Sequence, residues 1–198
     1  MKNFLIVLLL IPCMMLSGCA LSLLDKIQDE KTESTSPKEE KNPAEDEANA
    51  GEKKEAYGTY VVPENWSEAK ELSQKNLTFY LQNGTPTDKP TTNISVSEGT
   101  NKYAVGDAQS FAKAIDNQLR SQVGSLDLKS YSGNGSFTEK DYPLITMEVE
   151  TEEMTTIQYY IVGDYRYVMV HLSECHDEAI KDAEKVALSI VNSFEWSE

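Results

Sequence analysis

The chain has 198 residues, enough for one ordinary domain behind short N-terminal segments. Its 33 acidic residues against 18 Lys and Arg leave a formal net charge of −15, a field that repels phosphate backbones and anionic lipid headgroups. Nucleic-acid binding and a polybasic membrane contact are therefore disfavoured; cationic partners or metal ions are what such a surface attracts, if its acidity does more than keep the protein soluble.

The N-terminus reads as an export signal. Lys2 supplies one positive charge, Phe4 to Ile11 is an apolar run, and Met14, Met15 and Leu16 extend it, a stretch too short for a comfortable transmembrane helix. Leu16-Ser17-Gly18-Cys19 follows directly and is similar to the lipobox of bacterial lipoproteins. That resemblance implies loss of residues 1–18 as a signal peptide, a diacylglycerol on the Cys19 sulfur, and a mature protein anchored at the extracytoplasmic face of a bacterial cell membrane. Two or three acyl chains, at roughly 0.8 kcal/mol per buried CH2 group, hold a soluble domain on a bilayer persistently. An ordinary secretory signal with a chance cysteine is the competing account.

Residues 19–56 comprise the lipidated cysteine and a charged tether: 20–56 carries six Lys against eleven acids and almost no large apolar residue after Ile27. Such a segment cannot bury enough surface to offset the entropy of ordering, and it is expected to be a disordered spacer. The expected domain, 57–198, has a net charge of −11 of its own. Cys13 leaves with the signal and Cys19 carries lipid, so Cys175 has no cysteine partner and no disulfide framework is expected.

Tyr57 to Pro63 reads as a short strand, and Ser67, with Glu68 and Glu71 after it, as the cap of a short helix. Leu77 to Leu81 and Thr92 to Val96 form a hairpin with a generous loop. Asp107 caps a helix to about Val123, because Phe111, Ile115 and Leu119 recur every fourth residue as one apolar stripe. The period then changes to two: Leu126 to Phe137 reads as a strand interrupted at Gly133-Asn134-Gly135, Tyr142 to Glu150 as another, and Met154 to Val162 with Tyr165 to Ser173 as a hairpin turning at Gly163-Asp164. A helix from about Asp177 to Asn192, with Ile180, Ala183, Val186, Ala187, Ile190 and Val191 on its apolar stripe, precedes an extended Phe194-Glu195-Trp196.

Segregated helices and consecutive antiparallel strands indicate an α+β domain. Tyr159, Ile161, Tyr167 and Met169 alternate with Tyr160, Val162, Val168 and Val170, so the sheet is apolar on both faces and must be covered on both, which predicts an α/β/α sandwich.

Tyr60-Val-Val-Pro-Glu-Asn-Trp66, the Leu77 to Val96 hairpin, the helix bearing Phe111 and Ile115, the Tyr159 to Leu172 hairpin and Ile190-Val-Asn-Ser-Phe194 together resemble a PsbP-like domain of the bacterial DcrB type. The resemblance spans roughly Tyr57 to Trp196. It implies an antiparallel sheet between helices in a family that mostly binds proteins or assists assemblies and has no shared catalytic motif.

No Gly-rich phosphate loop, zinc-spaced Cys/His set, HExxH or GxSxG elbow occurs, so no catalytic residue and no cofactor are expected. Cys175 beside His176 invites a nucleophile reading, but neighbouring residues on a strand point to opposite faces. His171 and His176 with Glu174 and Asp177 could ligate zinc or manganese, and Glu148, Glu150 and Glu152, alternating on one strand beside Glu153, could gather calcium; solvated residues at strand ends are the simpler account of both sets. Tyrosines 159, 160, 165 and 167 suit either a recognition surface or core and edge packing. Sequons at Asn65, Asn76, Asn93 and Asn134 carry little weight behind a bacterial lipobox. The expected role is a noncatalytic binding or accessory module of the cell envelope with a protein partner and a lipid anchor. The rival is an envelope enzyme or metal-dependent hydrolase using His171, His176 and nearby acids.

Overall fold

The computed structural model describes residues 51–86, 91–178 and 180–198. The expected signal peptide, the lipobox-like Leu16, Ser17, Gly18 and Cys19, and the expected tether through residue 50 lie outside the described residues. No helix among the described residues is long and apolar enough to cross a membrane.

The described strands are β1 Gly51–Glu55, β2 Gly58–Val62, β3 Trp66–Glu68, β4 Leu77–Gln82, β5 Asn93–Thr100, β6 Ser130–Phe137, β7 Pro143–Glu150, β8 Met154–Gly163, β9 Arg166–Cys175 and β10 Glu195–Trp196; the helices are α1 Ala108–Val123 and α2 Ala183–Ser193. An antiparallel seven-stranded sheet runs β3-β4-β5-β9-β8-β7-β6, and a three-stranded sheet runs β1-β2-β10. This is the expected α+β architecture. The meander from β6 to β9 is legible in sequence because short connections, 138–142, 151–153 and 164–165, join its strands in chain order.

Register makes the two faces explicit. Tyr80, Ile94, Val96, Ile157, Tyr159, Ile161, Val168, Val170 and Leu172 fall on one face, where they join Ala183, Ala187, Ile190 and Val191 of α2 in one buried cluster. Alanine at 183 and 187 lets that helix approach the sheet closely. Tyr160, Tyr167 and Met169 point the other way, under α1, where the Phe111 ring packs at 6.1 Å from Tyr160 and 5.3 Å from Tyr167. Tyr165 alone of the four hairpin tyrosines is exposed, and the rest are core residues. The layer on the α2 face is shared: Tyr60 of β2 meets Tyr80 of β4 through their hydroxyls at 2.8 Å, so the small sheet packs there beside the helix.

Five local expectations change, the first being that the last helix starts at Ala183 and not at about Asp177: His176–Glu178 is a 3-10 turn, Asp182 takes φ +65°, and Ile180 precedes the helix. Gly51–Glu55, expected as tether, is a strand paired with β2 along its full length, so ordered structure begins before Tyr57. Its side chains are largely polar and its order comes from backbone pairing plus the Lys53–Glu68 ion pair at 3.3 Å, which composition does not reveal. Ser67 begins no helix: Trp66 is buried, and Trp66, Ser67 and Glu68 pair with Gln82, Leu81 and Tyr80. The Gly133-Asn134-Gly135 segment does not interrupt β6, which pairs with β7 without a break. The β8–β9 turn sits at Asp164-Tyr165, one residue later than Gly163-Asp164, with Tyr165 at φ +57°. Asp107 does precede α1 but makes no side-chain capping bond, and a 3-10 turn over Val105–Asp107 leads into the helix.

Candidate functional site

Among the described residues, the concavity of interest lies between α1 and the β6–β7 hairpin. It is a groove of about 380 Å3 lined by Gln109, Ala112, Lys113, Asp116 and Arg120 of α1 and by Gly133, Asn134, Gly135, Ile145 and Met147 of the hairpin. The stripe Phe111, Ile115, Leu119 and Val123 is buried against the sheet, which turns the 109/113/116/120 flank toward β6. On β6 the side chains facing α1 belong to the odd-numbered residues, and two of these are glycines. Lacking side chains there, the strand leaves the buried Ile145 and Met147 of β7 as an apolar floor.

One wall is held by a three-residue network. The Arg120 Nε donates to both Asp116 carboxylate oxygens at 3.1 and 3.0 Å, and the Tyr131 hydroxyl donates to Asp116 Oδ1 at 2.9 Å. The Arg120 guanidinium also lies over the Tyr131 ring, 4.5 Å from its centroid. Arg120 first, then Tyr131, holds the Asp116 carboxyl below its ordinary range, while burial and the neighbouring carboxylate push the Tyr131 phenol up to about 12. The network is therefore an ionised carboxylate, a protonated phenol and a guanidinium at any pH near neutral. Lys113, exposed on the same flank, makes no ion pair among the described residues. The groove offers amide, ammonium and apolar contacts, the chemistry of recognition.

The histidines are not brought together. His171 projects to the α1 face opposite Gln158 and Ser95, is 7 % exposed, and burial lowers its pKa to about 4. His176 instead reaches Thr155, whose side chain lies on the other face: its Nδ1 donates to the Glu152 carbonyl at 2.9 Å, and its Nε2 lies 2.9 Å from Thr155 Oγ1. Both ring nitrogens are thus engaged away from Cys175, which is half-buried at the end of β9. Glu148 and Glu150 do share a face, yet Glu150 accepts from Ser130 Oγ at 3.1 Å, and Glu152, beyond the strand, pairs with Lys129 at 3.1 Å. Among the described residues, no three His, Cys, Asp or Glu side chains gather as a cation site.

Sequence reasoning did not assign Lys113, Asp116, Arg120 or Gly135 to a site, and it read Gly135 as part of a break in the strand. The helical spacing of 109, 113, 116 and 120 places them on one flank, but nothing local says that a glycine-bearing strand lies beside it.

Neither a family model nor a curated protein sequence matches the chain. Among solved structures it is similar to the solution structure of cyanobacterial PsbP (CyanoP) from Synechocystis sp. PCC 6803, at 11 % identity and TM-score 0.48, covering 80 % of this chain and 98 % of that one. It is also similar to a crystal structure from Bacteroides thetaiotaomicron VPI-5482, at 14 % identity and TM-score 0.41, covering 72 % of this chain and 46 % of that one.

Proposed function

We propose that this chain is a lipid-anchored, noncatalytic binding module at the extracytoplasmic face of a bacterial membrane, and that the groove between α1 and β6 holds its protein partner. The observation that carries the binding role is the groove's construction, an apolar floor of Ile145 and Met147 under a rim of Gln109, Lys113, Asn134 and the Asp116–Arg120 pair. A concave apolar floor with a few placed polar groups is the usual form of a binding site. Asp116 serves Arg120 and Tyr131, leaving the rim suited to contact rather than to proton transfer. The anchor is supported by Leu16-Ser17-Gly18-Cys19 directly behind an apolar run, and the DcrB-type likeness of the sequence landmarks agrees with an accessory role in the envelope.

Two measurements test the proposal. Cys19→Ala is expected to abolish lipid attachment and release the protein from the membrane fraction; a variant still processed and membrane-bound removes the anchor. The full-length protein, solubilised in detergent, is expected to retain a reproducible partner from envelope extract, and a Gln109→Ala, Lys113→Glu double variant to lose it. Retention unaltered by that double variant places the partner elsewhere.

A further inference from the structure

β6 closes one end of the large sheet, and its outer edge is unpaired among the described residues. Natural edge strands are blunted by charge, proline, shortness or cover. β6 is eight residues long, Ser-Tyr-Ser-Gly-Asn-Gly-Ser-Phe, with neither charge nor proline, and it is exposed at all but Tyr131.

The hairpin turn decides which backbone groups face outward. Thr138 N–H donates to the Tyr142 carbonyl at 2.9 Å, and Asp141 occupies the left-handed region at φ +62°. Thr138 and Tyr142 are therefore a hydrogen-bonded pair, and alternation along the antiparallel ladder makes the even-numbered residues of β6 the ones bonded to β7. Tyr131, Gly133, Gly135 and Phe137 turn their N–H and C=O groups away from the sheet. These same residues direct their side-chain positions toward α1, where the two glycines open the groove.

We propose that β6 accepts an extended segment of a partner protein as an added strand, whose large apolar side chains lie over Gly133 and Gly135 onto Ile145 and Met147 while one carboxylate meets Lys113. This deepens the binding-module proposal and rests on it. Main-chain pairing supplies affinity and alternate side chains supply selectivity in strand addition. Large side chains laid across a neighbouring strand's glycines bury surface that the glycines leave bare. Charge narrows the occupant: Lys113 stands unpaired among the described residues on this flank of an otherwise acidic protein, and screening over roughly 8 Å confines the attraction to a carboxylate at the groove itself. A second copy paired antiparallel with Tyr131 against Phe137 sets Gly133 against Gly135 and brings no large side chain over either glycine, so that register fits less well.

Two substitutions separate this mode from a fold defect. Gly135→Pro removes one outward N–H and no bond to β7. Gly135→Phe places a ring where a Cβ meets nothing within 4 Å, so the chain's own side chain occupies the groove. The full-length protein in detergent micelles is panned against a displayed library of random ten-residue peptides. Selected peptides are expected to alternate large apolar residues around one Asp or Glu; both Gly135 variants, with unchanged circular dichroism, are expected to bind them about tenfold more weakly, and Lys113→Glu about fivefold more weakly. Absence of any selected peptide, or binding unchanged in both Gly135 variants, overturns the proposal, as does a concentration-dependent dimer that Gly135→Pro dissolves. If Gly135→Phe still retains the envelope partner, strand addition falls and the binding module stands; if neither protein retains one, both fall.

Discussion

Tyr131 on β6 and Asp116 on α1 are joined by a 2.9 Å hydrogen bond from the phenol to the carboxylate, and this bond ties the helix to the edge strand across the groove wall. Tyr131→Phe keeps the ring under Arg120 and removes the donor. The Asp116 pKa is expected to rise toward its ordinary value, read by carboxyl chemical shifts during an NMR titration. Stability linked to Asp116 is present above its unfolded pKa and is lost as pH falls through the lowered folded value, so the variant should show a weaker loss in acid. Its cost at neutral pH should be about 1 kcal/mol or less in urea unfolding.

His171 also has a lowered pKa, here because burial disfavours its charged form. Burial lowers its pKa from 6.5 to about 4, so between those values the unfolded chain takes up a proton that the folded chain refuses. Stability is full above pH 6.5, falls as pH drops toward 4, and levels off below, with a total loss of about 3 kcal/mol. His171→Gln is expected to flatten that slope in urea melts collected across the interval, whatever its own effect at neutral pH.

The Tyr60 and Tyr80 hydroxyls meet at 2.8 Å inside the core, and burial pushes both phenols above their ordinary pKa. Either single Phe substitution leaves one buried hydroxyl without this partner and should cost about 1–2 kcal/mol. The double variant should cost less than the sum of the two, a coupling that a double-mutant cycle measures directly.

Gly58 lies where β10 pairs with β2, opposite Trp196. A Cβ there would meet the Glu195 carbonyl oxygen, and the Phe194 ring at 2.7 Å. Gly58→Ala is expected to displace the C-terminal strand and to destabilise by about 2 kcal/mol. Phe194 is 1 % exposed, so the intrinsic fluorescence of neighbouring Trp196, whose ring centroid is 4.9 Å from that of Phe194, should report the displacement.

What was legible in the residues alone were the features whose cause is local. The fourfold recurrence of Phe111, Ile115 and Leu119 specifies a helix and its buried face, and alternation on both sides of β8 and β9 specifies a sheet covered twice, because backbone geometry converts spacing directly into direction. The same reading failed at β1, at Trp66–Glu68 and at Gly133–Gly135, where weak local preferences yield to partners supplied from elsewhere: Val62 to Gly58 for β1, Gln82 to Tyr80 for β3, Met147 and Ile145 for the glycines. The groove belongs to this second class. Neither the 109/113/116/120 flank nor a glycine-bearing strand is a site by itself; long-range packing of α1 on the sheet sets them side by side, since the hydrogen bonds and buried surface that place a strand come from chain segments far away in sequence.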